Sequence, residues 1–348
     1  MIALRILGGL LAAALFVSAV VRFRRRKITR LNLLITSALA VGLALLATVP
    51  GVFDPIFDLF NFQRGGGQRL LAVLLFATVV LLVLILREMS NTDLVMRDLR
   101  TLVEALSVQA FDWAQAGRLP EADRLVVVMP AYNEGQNVAE VIRDMPEEVH
   151  GLSVVPLVID DASEDRTAAV AEEAGALVGR LPIRRGGGLA LRVGYEIALK
   201  LGARIVASMD ADGQHVPGEL VDVVAPIVKG EADMVQGSRV LGEFEKDSRI
   251  RHFGILFFSR LVSLMTGLRV TDVSNGYRAT RVETLQKLVL EQDQFWTSEI
   301  LIEGLRQRAR IVEVPVTVRA RAGGESKKPK SLRYGWKFTK AIIQTWLR

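Results

Sequence analysis

The chain has 348 residues, with 44 Lys+Arg against 38 Asp+Glu, 3 His and no Cys, and half of it is hydrophobic. This excludes a disordered or collagen-like chain, disulfides, Cys-ligated zinc, iron–sulfur clusters and thiol nucleophiles; with only His150, His215 and His252, far apart in sequence, it also excludes a His-rich metal site. The net charge of +6 is an average over unlike parts. Residues 1–121 carry 13 basic and 8 acidic groups (+5), residues 122–318 carry 22 and 29 (−7), and residues 319–348 carry 9 and 1 (+8). A nucleic-acid binder concentrates positive charge on its binding domain. Here the basic ends lie beside apolar sequence, which points to an anionic membrane surface and not to nucleic acid.

In chain order, Ile6–Val21, Leu31–Phe53 and Leu70–Leu86 carry no charge. A membrane-spanning helix needs about 20 mostly apolar residues. The second stretch is long enough, the first becomes so if Arg5 snorkels, and the third is at the short end. The reading is a membrane domain over residues 1–90 with three transmembrane helices. A cleaved signal peptide fits less well, because the basic cluster follows the first apolar run. Between Arg22 and Arg30 lie six basic residues and no acidic one, so the positive-inside rule makes this loop cytoplasmic and the N-terminus external. Pro50–Arg69 is then also outside, with the aromatic-rich Val52–Phe62 in the interface, and everything after Arg87 is cytosolic. Residues 91–121 read as a linker helix, with Leu94, Leu99, Leu102 and Leu106 between charges, ended by Gly117-Arg-Leu-Pro120.

From Arg124 the texture changes. Leu125–Met129, Val154–Ile159 and Ile205–Met209 are short apolar runs rich in β-branched residues, and Asn137–Met145 and Thr167–Ala174 are helical in pattern. Alternating strands and helices predict an α/β fold with a doubly wound sheet, whose ligands sit at the carboxyl ends of the strands. The polar clusters Pro130-Ala-Tyr-Asn-Glu134, Asp160-Asp161-Ala-Ser163 and Asp210-Ala-Asp212 all fall there. The Gly186-Gly187-Gly188 run lacks the third glycine of a dinucleotide fingerprint and the G-K-[ST] of a P-loop, and neither G-x-S-x-G nor H-E-x-x-H occurs. In Asp210-Ala-Asp212 two carboxylates project from one side of an extended segment. They repel unless a cation lies near, and hard oxygen donors suit Mg²⁺ or Mn²⁺, which also bridge phosphates.

These residues resemble family 2 glycosyltransferases of the GT-A fold, over about Leu125 to Lys327. The marks are Val-Val-Val-Met-Pro-Ala-Tyr-Asn-Glu134, Ile-Asp160-Asp161-Ala-Ser, Met-Asp210-Ala-Asp212-Gly-Gln214-His215, Gly237-Ser-Arg239, Asp272-Val-Ser-Asn-Gly276-Tyr-Arg278 and Arg321-Ala-Gly-Gly324-Glu-Ser326-Lys327. The third and last are closest to polyprenyl-phosphate (dolichyl-phosphate) mannose or glucose synthases. The first 110 or so residues resemble a small membrane domain that accompanies such transferases.

The resemblance implies a GT-A domain at 122–327, with a mixed sheet flanked by helices; residues 328–348 after it read as a basic amphipathic tail. It implies transfer of a hexose from a nucleotide diphosphate sugar to polyprenyl phosphate. Pro130, Ala131, Tyr132, Glu134 and Asp161 would form the nucleotide pocket, Asp210 would hold ribose or sugar, and Asp212 with Gln214, and Asp210 beside them, would bind the divalent cation. Asp272 would lie near the acceptor, as a positioning group or a base. Arg239 and Arg251 would meet the lipid phosphate, and Arg321 and Lys327 either phosphate.

Three departures accompany it: Arg184 where the family often has Asn, Gly213 after the metal Asp, and Asn275 where Ser or Cys is usual. His252–Met265 reads as a core helix or a membrane-facing one. Leu332, Tyr334, Trp336, Phe338 and Trp346, mixed with Lys and Arg, make the tail interfacial or packed on the domain. A glycan or glycerolipid acceptor, a catalytically silent scaffold and a homo-oligomer all stay open.

Overall fold

The computed structural model describes residues 2–24, 30–49, 68–117, 119, 123–243, 249–320 and 332–347. The aromatic segment Val52–Phe62 lies outside them. The chain divides into two compact units, Met1–Leu94 and Val95–Arg348.

In the first unit, α1 (Ile2–Arg24) packs on α2 (Arg30–Thr48). Their contact uses small residues: Ala12, Ala19 and Ala40 are buried, and a Cβ on Gly8 would stand 3.0 Å from Ala47 Cβ. Many larger apolar side chains, including Leu10, Leu11, Val17, Leu34 and Leu81, point outward. Among the described residues no helix is long and apolar enough to cross a membrane. The uncharged stretch Ile6–Val21 falls within α1, and α2 takes up most of Leu31–Phe53. The third apolar stretch begins α3 (Gln68–Gln109), a single helix of 42 residues that continues into the second unit. From Val95 onward this helix belongs to the second unit.

The second unit is built on one mixed eight-stranded sheet. Its strands are β1 (Arg124–Ala131), β2 (Glu148–Val149), β3 (Leu152–Asp160), β4 (Leu177–Arg180), β5 (Ala203–Ser208), β6 (Met234–Ser238), β7 (Arg278–Arg281) and β8 (Ile311–Pro315). The order is β2-β3-β1-β5-β7-β6-β8, with β4 also on β3. Strands β4, β3, β1 and β5 run parallel, β7 is antiparallel to both neighbours, and β8 is parallel to β6.

Why β1 reads as a nearly unbroken apolar run is clear from its two faces. Leu125, Val127, Met129 and Ala131 enter one core, and Val126 and Val128 enter the other. A strand covered on both faces has no polar side to display. Helices Val138–Arg143, Thr167–Glu173 and Leu220–Val228 supply the first core, and Gly187–Lys200 with Val103 and Val108 of α3 the second. A third, smaller core joins helices Arg249–Thr266, Trp296–Arg306 and Leu332–Leu347 through Val262, Leu301, Phe338 and Ile342. Phe258 and Phe338 meet there edge to face, ring centroids 4.5 Å apart. The tail helix is therefore packed on the domain along one face, while Trp336 stays 70% exposed and Ile343 and Trp346 also face outward.

Candidate active site

The parallel registers bring the three polar clusters to one edge. Ala131 pairs with Asp160, and Val128 with Ser208, so the chain leaves β1, β3 and β5 on the same side of the sheet. Pro130 and Ala131 end β1 itself. The loops after β1 and β3 are stitched together. Asn133 N–H donates to Ser163 Oγ at 2.9 Å, Glu164 N–H to Asn133 Oδ1 at 2.8 Å, and Glu134 N–H to Thr167 Oγ1 at 2.8 Å. Glu134 is buried and its carboxylate accepts from Asn137 Nδ2 at 3.0 Å, at the start of the following helix.

Asp161 closes the next loop. Its two carboxylate oxygens accept the N–H groups of Arg185 and Gly186, each at 2.7 Å. Burial raises its pKa, opposed by those two N–H donors and the Arg184 charge. The Arg184 guanidinium lies 3.7 Å from the centre of the Tyr132 ring, a cation–π contact. That contact is what the departure from Asn provides at this position. Trp296 and Pro130 lie on the glycine run, where a Cβ on Gly187 would meet Trp296 Nε1 at 3.2 Å and Pro130 Cβ at 4.0 Å.

The end of β5 carries the carboxylate pair. Asp210 N–H donates to His215 Nδ1 at 3.2 Å, so that nitrogen is the acceptor and Nε2–H is left to donate to Asn275 Oδ1 at 2.8 Å. The same Asn275 oxygen accepts Tyr277 N–H at 3.1 Å, which gives the unusual Asn a definite task. The Asp210 carboxylate lies on Gly276: a Cβ there would stand 2.8 Å from Asp210 Oδ1. Asp212 Oδ1 accepts Gln214 N–H at 3.2 Å. The Gln214 side-chain amide donates to Arg319 O at 3.1 Å, and Arg319 N–H returns to Gln214 O at 2.8 Å. Among the described residues no group of three or more His, Asp or Glu side chains is arranged to hold a metal ion. The donors present, two carboxylates and an amide, are all hard oxygen ligands. They fit a cation that takes the rest of its shell from a diphosphate.

Asp272 and Arg239 form a pair. Asp272 is fully buried, and Arg239 Nε and Nη2 reach its Oδ2 and Oδ1 at 2.6 and 3.2 Å. Arg239 Nη2 also donates to Ser274 Oγ at 3.0 Å. The turn is fixed from behind by Glu313, which accepts from Thr271 N–H at 2.9 Å and Asp272 N–H at 3.1 Å. Burial raises the Glu313 pKa against those donors.

Of the other predicted residues, Arg321 and Lys327 lie outside the described residues, as does the side chain of Arg251, whose backbone is in helix Arg249–Thr266.

Arg278 is a functional candidate that its motif alone does not explain. It is 2% exposed, donates to Thr297 O at 3.0 Å and Asn275 O at 2.7 Å, and lies 5.2 Å from the Trp296 ring. Burial pushes its pKa down to about 10, against the favourable fields of Tyr195, Asp272 and Asp210. It is a buried cation held by two main-chain carbonyls, in the field of both acidic turns. As a charged residue opening a strand in the middle of the sheet it needs partners inside the protein, and that placement appears only in the fold.

Residues 126–289 match the family described as glycosyl transferase family 2. The chain is 31% identical to a dolichyl-phosphate hexose transferase of Haloferax volcanii, over 58% of this chain and 85% of that one. It is 31% identical to an undecaprenyl-phosphate mannosyltransferase of Micrococcus luteus, over 59% and 87%. Glucosyl-3-phosphoglycerate synthase from Mycobacterium tuberculosis, solved with Mn²⁺, UDP and glucosyl-3-phosphoglycerate, shares the fold: TM-score 0.51, 24% identity, covering 67% of this chain and 81% of that one. With its carboxylates gathered at the ends of β1, β3 and β5, the chain belongs to glycosyl transferase family 2 and is a glycosyltransferase of the GT-A fold.

Proposed function

We propose that this glycosyltransferase moves one hexose from a nucleotide diphosphate sugar of the GDP-mannose or UDP-glucose class to polyprenyl phosphate, with inversion, at the cytoplasmic membrane face. The observation that carries this reading is the Asp210/Asp212 pair beside the stitched β1 and β3 loops, in a chain whose relatives are named as polyprenyl-phosphate sugar transferases. A lipid phosphate oxygen attacks the anomeric carbon, the bond from that carbon to the diphosphate breaks, and the nucleoside diphosphate departs with the electron pair. Asp212, Gln214 and Asp210 would hold Mg²⁺ or Mn²⁺, which when bound neutralises the leaving diphosphate as a Lewis acid. A phosphate monoester has a second pKa of about 6 and attacks without losing a proton. Asp272, buried and gripped by Arg239, is accordingly a positioning group for the acceptor turn.

The membrane part of the reading rests on the three uncharged stretches and on the apolar side chains that the first unit turns outward. Exposed Trp336, Ile343 and Trp346 on the basic tail helix add an interfacial anchor. The six basic residues from Arg22 to Arg30 orient the domain. Membranes containing the protein, polyprenyl phosphate, Mn²⁺ and labelled donors test the reading. An acid-labile labelled lipid is expected with one donor. No labelled lipid with any donor, an acid-stable product, or full activity in Asp212→Ala overturns it.

A further inference from the structure

Asp293 lies outside every motif used so far, in the segment before helix Trp296–Arg306. Its carboxylate accepts from three guanidiniums: Arg100 Nε at 3.0 Å and Arg192 Nη2 at 2.8 Å on Oδ1, and Arg185 Nη2 at 2.9 Å on Oδ2. All four side chains are at most 20% exposed. Three cations on one carboxylate is an unusual concentration of charge for a half-buried site, and Glu104 offsets part of it by accepting from Arg192 Nε. The turn carrying Asp293 is held in its turn by the fully buried Glu299, whose two oxygens accept Glu291 N–H at 2.8 Å and Gln292 N–H at 2.9 Å.

The partners of this cluster have two origins. Arg185 and Arg192 belong to the glycine run and the helix after it. Arg100 and Glu104 belong to α3. The main chain repeats the connection: Asp293 O accepts Gly188 N–H at 2.9 Å, and a Cβ on Gly186, which has φ +106, would come 2.9 Å from that same oxygen. Residues 185–188 are thus clasped on one side by Asp161, through the N–H groups of Arg185 and Gly186, and on the other by Asp293. Neither clasp is a local contact, because Asp161 follows β3, 24 positions before Arg185, and Asp293 is 108 positions after it.

We infer that Asp293 is a positioning residue for the donor pocket, and that through Arg100 the order of residues 184–188 depends on the docking of α3. The pocket half of this statement rests on the donor-binding reading above. The coupling half does not. A loop held by hydrogen bonds to charged groups opens more often when one such group is removed, by about tenfold or more.

Hydrogen exchange of the full-length protein in detergent separates the two. Asp293→Asn should speed exchange of residues 184–189 about tenfold, leaving the β1 peptide 125–131 unchanged. Arg100→Gln, on a different helix, should act in the same direction with smaller size. In turnover assays Asp293→Asn should raise the donor KM about tenfold, with a smaller change in kcat. Unchanged loop exchange in both variants overturns the inference. So does uniform acceleration across the sheet in both, which would make Asp293 a prop of the whole fold, or a loss confined to kcat. If the loop responds while no nucleotide sugar binds, the coupling stands and the donor reading fails.

Discussion

Arg239 grips Asp272 through two nearly parallel hydrogen bonds, 2.6 Å and 3.2 Å long, where the carboxylate has no accessible surface. Removing one partner leaves the other charge buried without its counterion, at a cost of about 3–5 kcal/mol. Arg239→Met should therefore destabilise strongly. Adding Asp272→Asn should recover part of the loss, because the uncompensated charge goes with it. Denaturant unfolding of the two single variants and the double variant measures this coupling. A double variant whose loss equals the sum of the singles would show that the pair does not act as a unit.

Gly276 is needed for what lies on it. A methyl group there would stand 2.8 Å from Asp210 Oδ1, so Gly276→Ala should displace that carboxylate while the sheet beneath stays formed. Misplacing a binding group by about 1 Å costs on the order of 10²-fold in rate. Turnover should fall by about that factor, with the circular dichroism spectrum unchanged.

Asp212 should behave as a metal-site carboxylate. Asp212→Asn keeps the size and the bond from Gln214 N–H but removes the charge. Turnover should fall by about 10²–10³-fold, as for loss of other groups that stabilise transition-state charge. A chelator should abolish parent activity, and Mn²⁺ or Mg²⁺ should restore it. Retained activity in excess chelator would contradict a cation at this site.

Away from the site, Asp233 and Arg310 make a bidentate surface pair, with Arg310 Nη2 2.8 Å from Asp233 Oδ1 and Nε 3.0 Å from Oδ2. Arg310 holds the Asp233 pKa down to about 2, below its ordinary 3.8. A carboxylate whose folded pKa is depressed stabilises the fold above its unfolded pKa and stops doing so as pH falls through the folded value. Solvent exposure keeps the effect small. Asp233→Asn should melt slightly below the parent at pH 6, and the gap should close between pH 4 and about 2.

Much of the catalytic edge was legible in the sequence because each cluster directly follows an apolar run. Leu125–Met129, Val154–Ile159 and Ile205–Met209 read as strands in a doubly wound sheet, and parallel strands deliver their carboxyl ends to one side. Less legible was which charges meet. Asp272 and Arg239 sit 33 positions apart and Asp293 and Arg100 sit 193 apart, and nothing local in either stretch reveals a partner. Arg278 stands in a motif, yet nothing local marks it as a strand residue, and its neighbours Thr297 and Asn275 appear only once β7 is inserted between β5 and β6.

By itself the sequence determined the class of the protein: uneven grease, an acidic α/β domain between basic ends, no cysteine, and the six motifs in order. Periodicity and strand-end chemistry are local properties, so a single chain displays them without being folded. Tertiary structure decided the use of each charge. It committed Asp161 to the glycine run, buried Asp272 against Arg239, bound Arg278 to Thr297 and Asn275 and tied Arg100 to Asp293. Ion pairing in a buried place depends on distances of a few ångströms between remote segments, and only the closed sheet and its packed helices set those distances.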